Sequence, residues 1–158
     1  MLIVEDGSGL GDANAYLAVA EADSYHALRG NAAWAAAEDA AKEAAIVRAT
    51  DTLDWSYGWR GAPAGGALSW PRTGAADDTG RALVGVPEAV RRACAELALR
   101  ALSGELRPDL PRGGRITHES AGPISVSYAA EAPAETVRPA VEALLRPLLR
   151  CGNHMVRA

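Results

Sequence analysis

Residues 36–59, AAEDAAKEAAIVRATDTLDWSYGW, carry the longest unbroken helical pattern in the chain and end in its densest aromatic cluster. Ile46, Ala49 with Thr50, Leu53 and Tyr57 recur at the spacing of one helix face, and the alanines around them are the strongest intrinsic helix formers. Such a face needs other helices to cover it. On the opposite side Glu38 precedes Lys42 by four residues and Arg48 precedes Asp51 by three, pairs that suit a solvated surface and carry no chemistry. The pattern predicts the spine of a small, mostly α domain.

A length of 158 residues fits one domain that can bury roughly 70% of its unfolded surface without covalent staples. The two cysteines, Cys94 on the apolar side of a later helical pattern and Cys151 near the end, read as free thiols in a reducing compartment; a bridge between them is the lesser alternative. No run of 18 apolar residues and no basic, then apolar, N-terminal segment is present, so the sequence predicts a soluble protein made inside the cell, with no membrane partner. A formal charge of −4 gives no general attraction to nucleic acid. The cations are arginines apart from Lys42, and the arginine and alanine excess reads as a GC-rich genome, not as a binding function.

Ahead of the spine, residues 2–5 (LIVE) and 15–19 are strand candidates around the turn DGSGLGDAN, which fits a hairpin or a looped edge. Gly7, Gly9 and Gly11 lack the spacing of a dinucleotide fingerprint, and no Gly-Lys-Ser/Thr follows as a phosphate loop requires. Asp6, Asp12 and Asn14 miss the alternating ligands of a calcium loop. The segment therefore reads as a tight surface turn. A first helix over residues 19–28 places Ala22, Tyr25 and Leu28 or Ala27 at helical spacing and stops at Gly30-Asn31; His26 has no second ligand at metal spacing and reads as a partly exposed structural histidine.

Residues 61–80 form a long Gly/Pro/Ala loop around LSWPR, with Trp70 as its expected anchor. Two readings of the surrounding cluster stay open: Trp55, Tyr57, Trp59, Arg60, Trp70 and Arg72 form either a structural clamp or a platform on which single-stranded bases stack. Pro87 opens the next helix and Gly104 closes it, with Val90, Ala93, Cys94, Leu97 and Ala101 inward; Leu99 and Leu102 lie off that stripe, which predicts burial on more than one side.

Residues 115–128 (RITHESAGPISVSY) read as two strands around Ala121-Gly122-Pro123. Contiguous His118, Glu119 and Ser120 do not build a catalytic triad, whose members converge from separate elements. A lone hairpin is marginal in water, so Ile116, Ile124, Val126 and Tyr128 are expected to meet a neighbouring subunit. A last helix spans residues 136–149, ended or kinked at Pro147. Residues 150–158 form a tail in which Arg150, Met155, Val156 and Arg157, two apolar anchors between two cations, are expected to dock on a partner.

The order VEDG, A-D-x-Y-H, R-A-T-D-x-L-D, W-P-R and P-x-x-V-x-x-A-x-x-E-L-A resembles, over nearly the whole chain, the small neck proteins of tailed bacteriophages and prophage elements, the head-tail connectors or adaptors. Ala18 departs from that pattern where a Ser or Thr cap is expected. The resemblance implies a four-helix domain over residues 1–149 with one β-hairpin, working without catalysis or cofactor in the virion neck, assembled in the host cytoplasm. Its implied partners are the portal protein, neighbouring copies in a twelve-fold ring and a downstream tail-completion or stopper protein. Genomic double-stranded DNA would pass through the channel without sequence-specific contacts. Similar sequences are also labelled DnaT-like single-stranded-DNA-binding proteins, the rival reading.

Overall fold

The computed structural model describes residues 1–107, 118–121, 124–127 and 138–150. The molecule is mostly α, as the sequence predicts. Its elements in chain order are α1 (Val19–Ala27), α2 (Ala32–Ala35), α3 (Asp39–Ser56), β1 (Ala62–Pro63), β2 (Arg72–Thr73), α4 (Glu88–Ala101), β3 (His118–Ala121), β4 (Ile124–Ser127) and α5 (Pro139–Leu145), followed by a 3-10 turn, Arg146–Leu148.

The spine α3 buries Ala45, Ile46, Ala49, Thr50 and Leu53, the face expected from the spacing. It stops at Ser56, and Tyr57 is extended instead of completing that face. The chain leaves the helix here because residues 58–60 pair with the C-terminal segment: Arg60 N–H donates to the Leu148 carbonyl at 3.1 Å and Arg150 N–H to the Gly58 carbonyl at 3.0 Å. Pro147 cannot continue an α-helix, and the 3-10 turn it occupies brings residues 148–150 to this pairing.

Helix α4 packs against both α3 and α5. That is why its apolar residues do not fit one stripe: Val90, Ala93, Cys94, Ala95, Leu97, Ala98 and Ala101 are all buried. Leu99 and Leu102, however, are only half-buried. The Arg48 guanidinium donates to the Ala101 carbonyl and so caps an open carbonyl at the end of α4.

Helix α1 begins at Ala18, whose missing cap is partly replaced by the Glu21 carboxylate, which accepts the Ala18 N–H at 3.3 Å. The four-residue α2 is an element the periodicity does not announce. It is held by Trp34, buried against the His26 ring at 4.6 Å, with its indole N–H donating to Asp23 at 2.8 Å. Asp23 also takes the ammonium of buried Lys42 at 3.0 Å, which accounts for the sole lysine as a packing element. His26, expected to be partly exposed, is instead buried between Ala95 O at 3.2 Å and the Asn31 side-chain amide at 2.9 Å, and burial holds its pKa below the ordinary histidine value, while Ala27 and Leu28, expected on the inward stripe, are exposed where α1 ends.

The N-terminal segment is not a hairpin. Val4 and Ala15 form a single parallel bridge, and the glycine turn between them wraps around a carboxylate of its own chain. Glu5 Oε1 accepts the N–H groups of Gly7 at 2.9 Å and Gly9 at 2.8 Å, and Oε2 accepts that of Leu10 at 2.8 Å. Converging N–H groups of this kind make an anion-binding concavity, here filled from within. The turn also permits a close backbone approach: at Gly66, with φ of +96°, an added Cβ would stand 2.7 Å from the Gly9 carbonyl carbon.

Two antiparallel pairs complete the description: β1 with β2, and β3 with β4. The register of the second, His118 with Ser127 through Ala121 with Ile124, falls within the hairpin expected over residues 115–128.

Candidate nucleic-acid interface

The aromatic and arginine residues singled out in the sequence separate into two groups. Trp59 and Trp70 are buried and meet edge to face, with ring centroids 5.8 Å apart, and Tyr57 packs on Trp59 at 5.9 Å. Trp70 is placed by a buried polar relay from three segments. The Trp70 N–H donates to the Tyr16 hydroxyl oxygen at 3.0 Å, the Tyr16 O–H donates to Asp54 Oδ1, and Asp54 Oδ2 accepts the Ser69 N–H at 3.0 Å. Burial raises the pKa of Asp54 and, with the Asp54 carboxylate beside it, that of Tyr16, so the hydroxyl keeps its proton and the bond its direction.

The arginines of this group are spent on main-chain carbonyls. Arg72, buried, donates to the carbonyls of Arg60 at 2.7 Å, Gly61 at 2.8 Å and Ser69 at 3.0 Å. Arg60 donates to those of Leu149 at 2.8 Å and Ala76 at 3.3 Å. Arg150 donates its Nε–H to the Trp59 carbonyl at 2.8 Å, which ties the last described residue to the core. These contacts close the long loop over the end of α3. They leave no ring face of Trp59 or Trp70 to a base.

Trp55 is different. It is 72% exposed, on the far side of α3 from Leu53. Its outward direction follows from helical geometry, since two residues turn the helix by about 200°. Arg48, seven residues earlier on the same outer side, is also exposed, and the rise of the helix separates their Cα atoms by about 10 Å. Asp51 lies between them, half-buried, its pKa raised by that burial. The stripe thus offers one exposed aromatic face, Trp55, with its nearest cation, Arg48, exposed but already donating to the Ala101 carbonyl; bases stack on such a face beside such a charge in single-strand binding.

Other residues singled out in the sequence contribute less. Ile124 and Val126 sit in β4, and Ile116, Tyr128, Met155, Val156 and Arg157 lie outside the described residues. Cys94 is buried with its thiol pushed up to about 12, so it is not a nucleophile at neutral pH. Among the described residues no cluster of three His, Cys, Asp or Glu side chains has metal-binding geometry, and no helix is long and apolar enough to cross a membrane.

The relay partners Tyr16 and Asp54 carry no signal in the sequence, because the residues that meet are 38 positions apart. The exposure of Trp55 does carry one: its register against Leu53.

A model of the family described as "Putative DnaT-like ssDNA binding protein" matches residues 1–158. The chain belongs to this DnaT-like family. It matches no curated protein and no solved structure. Within the DnaT-like chain, Trp59 and Trp70 of the loop cluster are internal, and Trp55 on the outer side of α3 is an exposed aromatic among the described residues.

Proposed function

We propose that the protein binds single-stranded DNA without a catalytic step, using the outer stripe of α3. The family match over the whole chain carries this reading. Trp55 supplies the stacking face and Arg48 the neighbouring charge, in a chain whose net charge of −4 confines attraction for phosphate to local sites. Anisotropy titrations with a labelled single-stranded oligonucleotide and its duplex test it: the single strand should bind more tightly, because its bases are free to stack. Equal affinity for both, or none for either, rejects the reading.

We keep the head-tail connector as a second reading, which rests on the sequence resemblance alone; the internal position of Trp59, Trp70 and Arg72 removes an extended stacking platform and bears on the DNA reading only. In this reading the folded helices present a ring interface, and the portal, a stopper protein and twelve-fold neighbouring copies are the partners at the virion neck. Co-sedimentation with portal rings in the absence of DNA tests it directly.

A further inference from the structure

Residues 58–61, just past the end of α3, have their carbonyls taken one after another. Gly58 O accepts the Arg150 N–H at 3.0 Å and Trp59 O its Nε–H at 2.8 Å, while Arg60 O and Gly61 O accept the Arg72 guanidinium at 2.7 and 2.8 Å. Two guanidinium groups from distant parts of the chain are thereby fixed on one short stretch of backbone. They feel each other: burial first, and then the charge of Arg150, hold the Arg72 pKa below the ordinary arginine value. The acid that acts on Arg72 is Asp54, whose carboxylate is occupied by the Tyr16 O–H and the Ser69 N–H. Among the described residues neither Arg72 nor Arg150 makes an ion pair. Arg91, Arg92 and Arg100 differ, each having a glutamate oxygen within 3.4 Å.

The two arginines have different parts to play. Arg72 is buried, with Nε, Nη1 and Nη2 each on a carbonyl, so it contributes charge and no contact. Arg150 is exposed. A guanidinium carries five N–H donors, and Arg150 spends only its Nε–H, which leaves the four on its two Nη groups. That planar fork matches two phosphate oxygens at once. Its anchorage at Trp59 and Gly58 orders the side chain beforehand, so less freedom is lost when an anion arrives.

We propose that Arg150, backed by the charge of Arg72, holds a backbone phosphate of the single strand that stacks on Trp55. The proposal rests on the DNA-binding reading and adds to it a second point of contact. The strand is the ligand because Gly58, on which Arg150 is docked, lies three residues from Trp55, at most about 11 Å of chain, so a few nucleotides reach both exposed groups. In a chain of net charge −4, arginines without carboxylate partners are where a polyanion is attracted.

A salt series of labelled oligothymidine affinity, read by anisotropy on the full chain, tests the proposal with two variants. Arg150→Gln and Arg150→Lys both lose the Nε–H bond to Trp59, and only the first loses the charge. Arg150→Gln should lower the slope of log affinity against log salt by about 0.7, the share of one phosphate on a single strand, while Arg150→Lys keeps the wild-type slope. Equal slopes in all three proteins, with the wild type binding, overturn the proposal and leave the Trp55 reading in place. So does an equal loss of slope in both variants, which assigns the effect to the Trp59 bond. A second arm needs no DNA: the Nε–H resonance of Arg150, identified by its disappearance in Arg150→Lys, should shift saturably with inorganic phosphate and not with chloride at equal ionic strength. No difference between the two anions overturns the site. A phosphate-specific shift in a protein that binds no oligonucleotide overturns the strand as its ligand, and is then a failure of the DNA-binding reading, not of the anion site.

Discussion

Replacing Glu5 removes the anion at the centre of the N-terminal turn. Glu5 is buried, 4% exposed, and its carboxylate accepts three N–H groups at 2.8–2.9 Å. With Glu5→Ala the donors of Gly7, Gly9 and Leu10 lose their partner together. An unsatisfied buried donor costs about 1–3 kcal/mol, and the turn is open enough for water to reach some of them, so the lower end applies: about 3 kcal/mol in total. In a domain of this size that lowers Tm by about 6–12 °C. Glu5→Gln should lose nearly as much, since its amide keeps one acceptor oxygen and turns a donor against donors. Thermal unfolding followed by circular dichroism measures both. A second arm separates the nest from general damage: acetate, compared with chloride at equal ionic strength, should recover part of the loss in Glu5→Ala and none in the wild type. A Glu5→Ala protein within about 0.5 kcal/mol of wild type, or one indifferent to acetate, would refute the reasoning.

The same unfolding assay checks three further expectations. His26 is held neutral by burial, its pKa lowered, so the unfolded chain binds the extra proton; stability is full above about 6.5 and falls as pH drops below it, by at most about 1.4 kcal/mol per pH unit. His26→Gln should flatten that slope, and an unchanged slope would assign it to other groups. Trp70→Ala should cost roughly 3–5 kcal/mol, whereas exposed Trp55→Ala should stay within about 0.5 kcal/mol; comparable losses would mean that the two tryptophans are not divided between core and surface. Tyr16→Phe should cost about 1–3 kcal/mol, because it strips a donor from Asp54 and an acceptor from the Trp70 N–H, and a neutral result would show that the relay does not hold the loop.

What the sequence makes legible is what local spacing controls. Ile46, Ala49, Thr50 and Leu53 define α3 by period alone, Pro87 marks the start of α4, and Gly30-Asn31 marks the turn after α1. Helix α2 escapes this reading because four residues hold barely one turn of periodicity; Trp34, through His26 and Asp23, does the specifying instead. The parallel bridge of Val4 with Ala15 escapes it too, since alternation marks strands but not their direction. The aromatic cluster is a mixed case. Its membership is visible in the sequence, but the division between buried Trp59 and Trp70 and exposed Trp55 depends on where α3 ends and on the relay from the Trp70 N–H through the Tyr16 hydroxyl to Asp54. The glycines of the N-terminal turn look like a phosphate cradle stripped of its signature, and the structure gives the reason for their backbone: they accommodate Glu5 and the approach of Gly66.

The most direct test of the functional account is a salt series of single-stranded DNA affinity for the wild type, Trp55→Ala and Arg48→Gln, read by fluorescence anisotropy on protein confirmed to be folded. The account predicts measurable binding at low salt that weakens as salt rises. Loss of Trp55 should reduce affinity by roughly tenfold at every salt concentration, the share of one stacked base, and loss of Arg48 should lower the salt slope by about one ion. No binding by the folded wild type at low salt, or affinity unaffected by Trp55→Ala, would contradict it and shift the weight to the connector reading.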